Sequence, residues 1–286
     1  MSDINSGSIN WFPGHMAKTR REIREKLELI DIVYEVIDSR MPKSSRIIDL
    51  DDILRDKPRI IIMTKYDLCD KKVTDELIDK MDGKYTILKV DLKTCGKDFV
   101  KRILDITNKE LSYINEKRKE KGLTPRNYRA LVVGVPNAGK STLINRLAGK
   151  NVAHAANMAG VTKTLNWIRL NKDIELLDTP GILWPKITDK KVGYNLASLT
   201  SIKEEILIKQ DIASYILRTL YEYYPELLRK KYGINNISDD LISEFDLIGK
   251  KRGCLLRGNV IDYDKVYSVI INDLKEGKIG NITFDR

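Results

Sequence analysis

The chain has 286 residues, a net charge of +10 and a pI of about 9.3, enough length for one large and one smaller domain, and its basic excess favours a polyanionic partner, nucleic acid first. Its three cysteines, Cys69, Cys95 and Cys254, lie far apart without metal-ligand spacing, which excludes a disulfide framework or a zinc module and fits reduced thiols. No apolar run is long enough to cross a bilayer, and the N-terminus lacks a basic stretch followed by an apolar one, so a cytoplasmic protein without a secretory signal or membrane segment is expected.

Residues 1–10 are polar and precede an unusual cluster, Trp11-Phe12-Pro13-Gly14-His15-Met16, which holds one of only two histidines. A helix is expected from about Met16 to Leu29, a strand over Ile32–Asp38, loop over Asp38–Pro42 and a short helix over Ile47–Leu54. Arg59–Thr64 is apolar enough to be a central strand of a parallel sheet. It ends in Thr64-Lys65-Tyr66-Asp67, an N-K-x-D-like guanine-recognition motif with Thr in place of Asn. One carboxylate, Asp67, can accept from both N1–H and the N2 amino group of guanine, and adenine offers no such pair. Lys65 would lay its stem over the base, while the Thr64 hydroxyl is shorter than an amide and cannot reproduce both amide contacts. A helix near Thr74–Met81, a strand over Tyr85–Val90 and a long helix over Phe99–Lys119 follow. Asp91-Leu92-Lys93 stands at the end of that strand, where a second base-flanking motif, S-A-K, is usual; only Lys93 matches it.

After a charged link comes an apolar strand over Arg129–Gly134, and then Gly134-Val135-Pro136-Asn137-Ala138-Gly139-Lys140-Ser141. This is G-x-x-x-x-G-K-S, a phosphate-binding loop, followed by helical spacing from Thr142 to Leu147. Glycines let backbone N–H groups curl round phosphates, and the helix N-terminus adds partial positive charge. Pro136 to Thr142 are the expected nucleotide contacts, with Lys140 on the β- and γ-phosphates and Ser141 on Mg²⁺. The aperiodic stretch Ala155–Thr164 carries Thr162, the candidate switch threonine and Mg²⁺ ligand, with Thr164 as its alternative. A hairpin, Leu165–Leu170 and Ile174–Leu177, leads into Asp178-Thr179-Pro180-Gly181, a D-x-x-G motif. Asp178 would hold Mg²⁺ through a water, and the Gly181 N–H would meet the γ-phosphate.

Guanine recognition usually comes last in a GTPase; here it comes first. Joining the old termini and cutting the chain after the D-x-x-G switch builds the same mostly parallel sheet. The expected fold is therefore α/β, a circularly permuted P-loop GTPase domain over 1–188 and an all-α RNA-binding domain over 189–286. The switch would run straight into the C-terminal segment, whose helical spacing and basic clusters, Arg229-Lys230-Lys231 and Lys250-Lys251-Arg252, suit RNA backbone or simply a solvated surface.

The cluster Trp11–Lys18, the permuted motif order, Pro136–Ser141, Asp178–Gly181 and the ending Gly277-Lys278-Ile279-Gly280 together resemble the circularly permuted GTPases of bacterial ribosome assembly, the RbgA (YlqF) family, over nearly the whole chain. The resemblance implies a factor for late maturation of the large ribosomal subunit, with rRNA contacts through a C-terminal helical domain and hydrolysis stimulated by the particle; a GTP/GDP-binding, Mg²⁺-dependent monomer is expected. Ile182 follows Gly181 where many GTPases place a water-orienting Gln, and an aliphatic side chain cannot do that work. His15 is the candidate for the catalytic role, which the resemblance also implies; its other reading is an RNA-facing hook. Asn137 is either a K⁺ ligand near the phosphates or plain loop structure. Other functional classes are a small-molecule P-loop kinase, a tRNA-modifying GTPase, or another RNA-associated GTPase with a non-ribosomal partner.

Overall fold

A computed structural model describes residues 14–80, 85–153, 165–170, 173–183, 187–202 and 208–286, without the side chain of His15. Trp11 to Pro13, His154, Thr162, Thr164 and Trp184 lie outside the described residues. Among the described residues six strands form one sheet: β1 (Ile32–Asp38), β2 (Arg59–Thr64), β3 (Thr86–Lys89), β4 (Tyr128–Val133), β5 (Asn166–Arg169) and β6 (Ile174–Asp178). Their order is β3-β2-β1-β4-β6-β5, parallel throughout except for the antiparallel β5–β6 pair.

The sheet is flanked by α1 (Gly14–Lys26), α2 (Leu50–Leu54), α3 (Lys71–Asp79), α4 (Lys97–Glu120) and α5 (Lys140–Ala148). After β6 the regular elements among the described residues are helices: α6 (Lys190–Ser198), α7 (Lys209–Tyr223), α8 (Pro225–Tyr232), α9 (Ile242–Arg252) and α10 (Tyr263–Lys275). Most buried apolar side chains of the sheet and those of these last helices belong to one continuous core, while Ile37, Ile61 and Met63 form a smaller cluster with Ile78 of α3.

Local chemistry sets several boundaries. The helix expected near Thr74 begins at Lys71, because the Asp70 carboxylate caps it by accepting from the Val73 N–H at 3.3 Å. The helix expected from Ile47 is a single turn starting at Leu50, with Ile47–Leu50 forming a turn of its own. Pro225 follows α7 and opens α8 at a first-turn position where its missing N–H leaves no donor unpaired.

β1 is the strand most enclosed by neighbours; all seven of its residues are buried. Burial on both faces demands partners for its polar groups. Tyr34 shares a hydrogen bond with the Thr107 hydroxyl of α4 at 2.7 Å, and burial pushes its phenol up to about 12. Glu35 accepts from Arg59 at 3.1 Å and Arg46 at 3.3 Å. Asp38 ends the strand and accepts from the Arg40 Nη2 at 2.9 Å and the Lys65 Nζ at 2.7 Å. Burial alone would raise the Asp38 carboxyl, but the charges of Arg40 and Lys65 outweigh it and hold the group well below the usual carboxylate range.

Arg40 is equally buried, and its Nη1 reaches on to the carbonyls of Leu274 and Lys275, at 3.1 and 3.2 Å, at the end of α10. Removing Arg40 leaves the buried Asp38 carboxylate with Lys65 alone and the two α10 carbonyls without their donor. Arg40→Ala is expected to cost about 3–5 kcal/mol, read by denaturant unfolding. A cost near that of an exposed arginine would show that the pair is not a structural link.

Candidate nucleotide site

The loops at the C-terminal ends of β1, β2, β3, β4 and β6 converge on one edge of the sheet, the usual place for ligands in an open α/β fold. The loop after β4 is closely fitted there. A Cβ on Gly134 would lie 2.3 Å from the Val36 carbonyl oxygen, so only glycine lets β4 leave the sheet at this point. Gly139 has φ +101, and α5 starts directly after it with its N-terminus facing the loop.

Lys140 is buried, and its ammonium donates to the carbonyls of Gly134 and Val135 at 3.1 and 3.0 Å. Burial pushes its pKa down to about 8, partly opposed by the nearby Asp178. Asp178 Oδ1 is buried and has no hydrogen-bond partner, and burial raises this carboxyl. Such an orphaned acceptor costs free energy unless it serves a ligand. Among the described residues there is no group of three or more His, Cys, Asp or Glu side chains suited to a metal. The unpartnered Asp178 carboxylate beside the phosphate loop fits a hard cation such as Mg²⁺, which takes few protein ligands and shares phosphate oxygens.

The D-x-x-G turn packs onto this loop. A Cβ on Gly181 would come within 2.7 Å of Pro136 Cα, so any side chain there would collide with the phosphate loop. Ile182 donates its N–H to the Gly134 carbonyl at 3.2 Å, and its side chain is fully buried. It is a core residue with no access to a reacting water.

The T-K-x-D loop meets the phosphate loop from the other side. The Thr64 hydroxyl lies 2.5 Å from the Ala138 carbonyl and 3.1 Å from that of Ile37, and donates its single proton between them. Lys65 has φ +56 and bridges the Asn137 carbonyl and Asp38, both at 2.7 Å. Asp67 is half-buried; its carbonyl accepts from Asn281 Nδ2 at 2.9 Å, and its carboxylate has no partner among the described residues. In the third loop, Asp91 accepts from the Lys93 N–H at 2.8 Å and the Thr94 hydroxyl at 2.5 Å. The Leu92 carbonyl accepts from Arg146 of α5 at 2.7 Å, and the Lys93 carbonyl accepts from the same guanidinium. Asn137 has φ +60, and its amide nitrogen donates to Thr200. Pro136 to Thr142, Thr64, Lys65, Asp178 and Gly181 are thus brought to one place, with Asp67 and Asp91–Lys93 on the adjoining loops.

Four residues that shape the site carry no motif. Asp38 ends a strand and Arg40 stands in the loop after it; a carboxylate at the C-terminal end of a strand beside the phosphate strand is a signal of a ligand-facing position. Thr200 and Ser201, after α6, touch the phosphate loop, and no motif marks them.

Comparison with known proteins places this geometry. A family model described as "50S ribosome-binding GTPase" matches residues 129–237. Ribosome biogenesis GTPase A of Priestia megaterium is 47% identical over 281 residues, covering 97% of this chain and 96% of that one. The protein of the same name from Bacillus licheniformis is 48% identical, covering 97% and 98%. The crystal structure of GNP-bound YlqF from T. maritima superposes with a TM-score of 0.63 at 28% identity, covering 94% of this chain and 98% of that one. A GDP-bound YlqF structure gives 0.63 at 29% identity, covering 93% and 99%. By sequence along nearly its full length, and by fold, the chain belongs to the ribosome biogenesis GTPase A family.

Proposed function

We propose that this GTPase binds GTP across the loops after β2, β3, β4 and β6 and hydrolyses it in late maturation of the large ribosomal subunit. The supporting observation is the seam where Thr64 and Lys65 bond the Ala138 and Asn137 carbonyls, because it joins a carboxylate-bearing base loop to a phosphate loop. Asp67 would accept from guanine N1–H and N2, Lys65 would cover the base, and Asp91, Leu92 and Lys93 would flank it. Pro136 to Thr142 would wrap the phosphates. Lys140 would exchange its two carbonyl acceptors for phosphate oxygens, an exchange favoured by charge. Thr162 would join Ser141 and Asp178 at Mg²⁺, and Gly181 N–H would meet the γ-phosphate. When bound, the cation neutralises charge on the β- and γ-phosphate oxygens.

With Ile182 in the core, the attacking water needs a partner from elsewhere, and His15, at the start of α1, is assigned that role. Asn137 is assigned to K⁺ through Oδ1, since its Nδ2 is already committed to Thr200. Residues 1–188 would carry the GTPase, and 189–286 the rRNA contacts. Lys230, Lys250 and Lys251 are exposed there, whereas Lys231 and Arg252 pair with the buried Asp273 at 3.4 and 2.7 Å and serve the fold. The protein would act as a cytoplasmic monomer; no helix among the described residues is long and apolar enough to cross a membrane.

The test is GTP turnover with and without purified large ribosomal subunits, with ATP in parallel. Strong stimulation confined to GTP is expected. Equal use of ATP, or no response to the particle, would remove the proposal. In the same assay His15→Ala is expected to lose about 100-fold or more of the stimulated rate while keeping nucleotide affinity; an unchanged rate would assign the histidine elsewhere. Replacing K⁺ with Na⁺ is expected to slow hydrolysis, and equal rates would free Asn137 of the cation role. Asp67→Asn is expected to weaken guanine nucleotide binding about 100-fold, through two lost charge-assisted hydrogen bonds, and to favour xanthine nucleotides, whose base offers an acceptor where guanine has its amino group. Titration with fluorescent GDP and XDP would report both changes.

A further inference from the structure

Two residues with left-handed backbone face each other across the seam between the phosphate loop and the C-terminal helices. Asn137 has φ +60 and Thr200 has φ +57. Asparagine adopts this region with modest cost, but a β-branched residue rarely does. Thr200 stands where a helix usually ends in glycine: its N–H bonds the Ala197 carbonyl at 2.9 Å, and the Ser201 N–H bonds that of Leu196 at 2.8 Å. That is the two-bond closure of α6 with Thr200 at the left-handed position. Glycine would serve this turn better, so the threonine needs another reason.

Its contacts supply one. Asn137 Nδ2 donates to the Thr200 carbonyl at 2.6 Å and to its hydroxyl at 3.0 Å. The Ser201 hydroxyl donates to the Pro136 carbonyl at 2.8 Å, and both Thr200 and Ser201 are buried. The C-terminal region thus holds two consecutive residues of the phosphate loop by three hydrogen bonds, with backbone strain at the centre of the contact.

We propose that Thr200 and Ser201 are positioning residues of the phosphate site. They act through Pro136 and Asn137, setting the path of the loop and fixing which end of the Asn137 amide faces Thr200. A loop held in its binding shape before the nucleotide arrives loses less freedom on binding, so the hold is read as affinity. The inference rests on the reading of Pro136–Ser141 as the GTP phosphate loop.

The test measures binding of fluorescent GDP and a non-hydrolysable GTP analogue, with thermal unfolding of each variant alongside. Thr200→Gly removes the hydroxyl and relieves the backbone, so it keeps or raises the melting temperature while affinity falls about 5-fold, the effect of one lost hydrogen bond. Thr200→Ser restores the hydroxyl and is expected to restore affinity. Ser201→Ala is expected to weaken binding by a similar factor and keeps the test available if Thr200→Gly does not fold. Wild-type affinity in both Thr200→Gly and Ser201→Ala overturns the proposal, as does a Thr200→Ser variant as weak as Thr200→Gly. Failure of the wild-type protein to bind either guanine nucleotide would overturn the GTP-site reading itself, which separates the two outcomes.

Discussion

One buried carboxylate ties together the parts of this molecule that must cooperate. Asp38 sits at the C-terminal end of the most enclosed strand and accepts from Arg40 and Lys65. Neither cation stops there. Lys65 also holds the Asn137 carbonyl, and Arg40 holds the last carbonyls of α10. Removing charges from water is costly, so the arrangement is tolerable only because every group has several partners. Its consequence is geometric: the base loop, the phosphate loop and the final helix are referred to the same point in the sheet.

The permuted chain order makes that reference necessary. With the base loop early and the phosphate loop late, no short connection joins them, and α4 must return from β3, at the sheet edge, to β4 beyond β1. Side-chain bonds across the seam do the work that chain continuity cannot. The same logic applies to the C-terminal tail. The Ile282 N–H bonds the Leu68 carbonyl at 3.2 Å, Asn281 bonds that of Asp67, and Asp285 accepts from the backbone of Lys43 and Ser44 at 2.6 and 3.0 Å. The segment that follows the D-x-x-G switch therefore touches the phosphate loop at Thr200 and Ser201 and the base loop at Asn281 and Ile282, as well as continuing from the switch itself.

The elements that could be read from sequence were those whose signal is local. β2 stands at Arg59–Thr64 as its apolar run predicts, and the glycine loop before α5 was legible because glycine positions and a lysine at fixed spacing have few other uses. What was not legible depends on residues distant in the chain. Arg40 looks like a surface arginine until Leu274 and Lys275 are brought to it. Lys231 and Arg252 look like RNA-binding charges until Asp273 is found buried between them. Thr200 carries no motif; only its backbone angle and its asparagine partner mark it.

The threonine at the head of T-K-x-D shows how a departure from pattern can keep part of a function. An asparagine amide has two donor protons and an acceptor; a hydroxyl has one proton to give. In this chain that proton lies between the carbonyls of Ala138 and Ile37, so the bond across the seam survives the change. Thr64 also fills the space beside Gly139, where its methyl carbon and hydroxyl would lie 3.3 Å from any Cβ. The part of the asparagine's role that concerns loop-to-loop geometry is thus retained by a shorter, β-branched group packed against the loop. The part that would reach the base is not available to a hydroxyl committed in this way. In the proposed GTP site, discrimination of guanine would then fall more heavily on the Asp67 carboxylate, whose backbone is braced by the C-terminal tail.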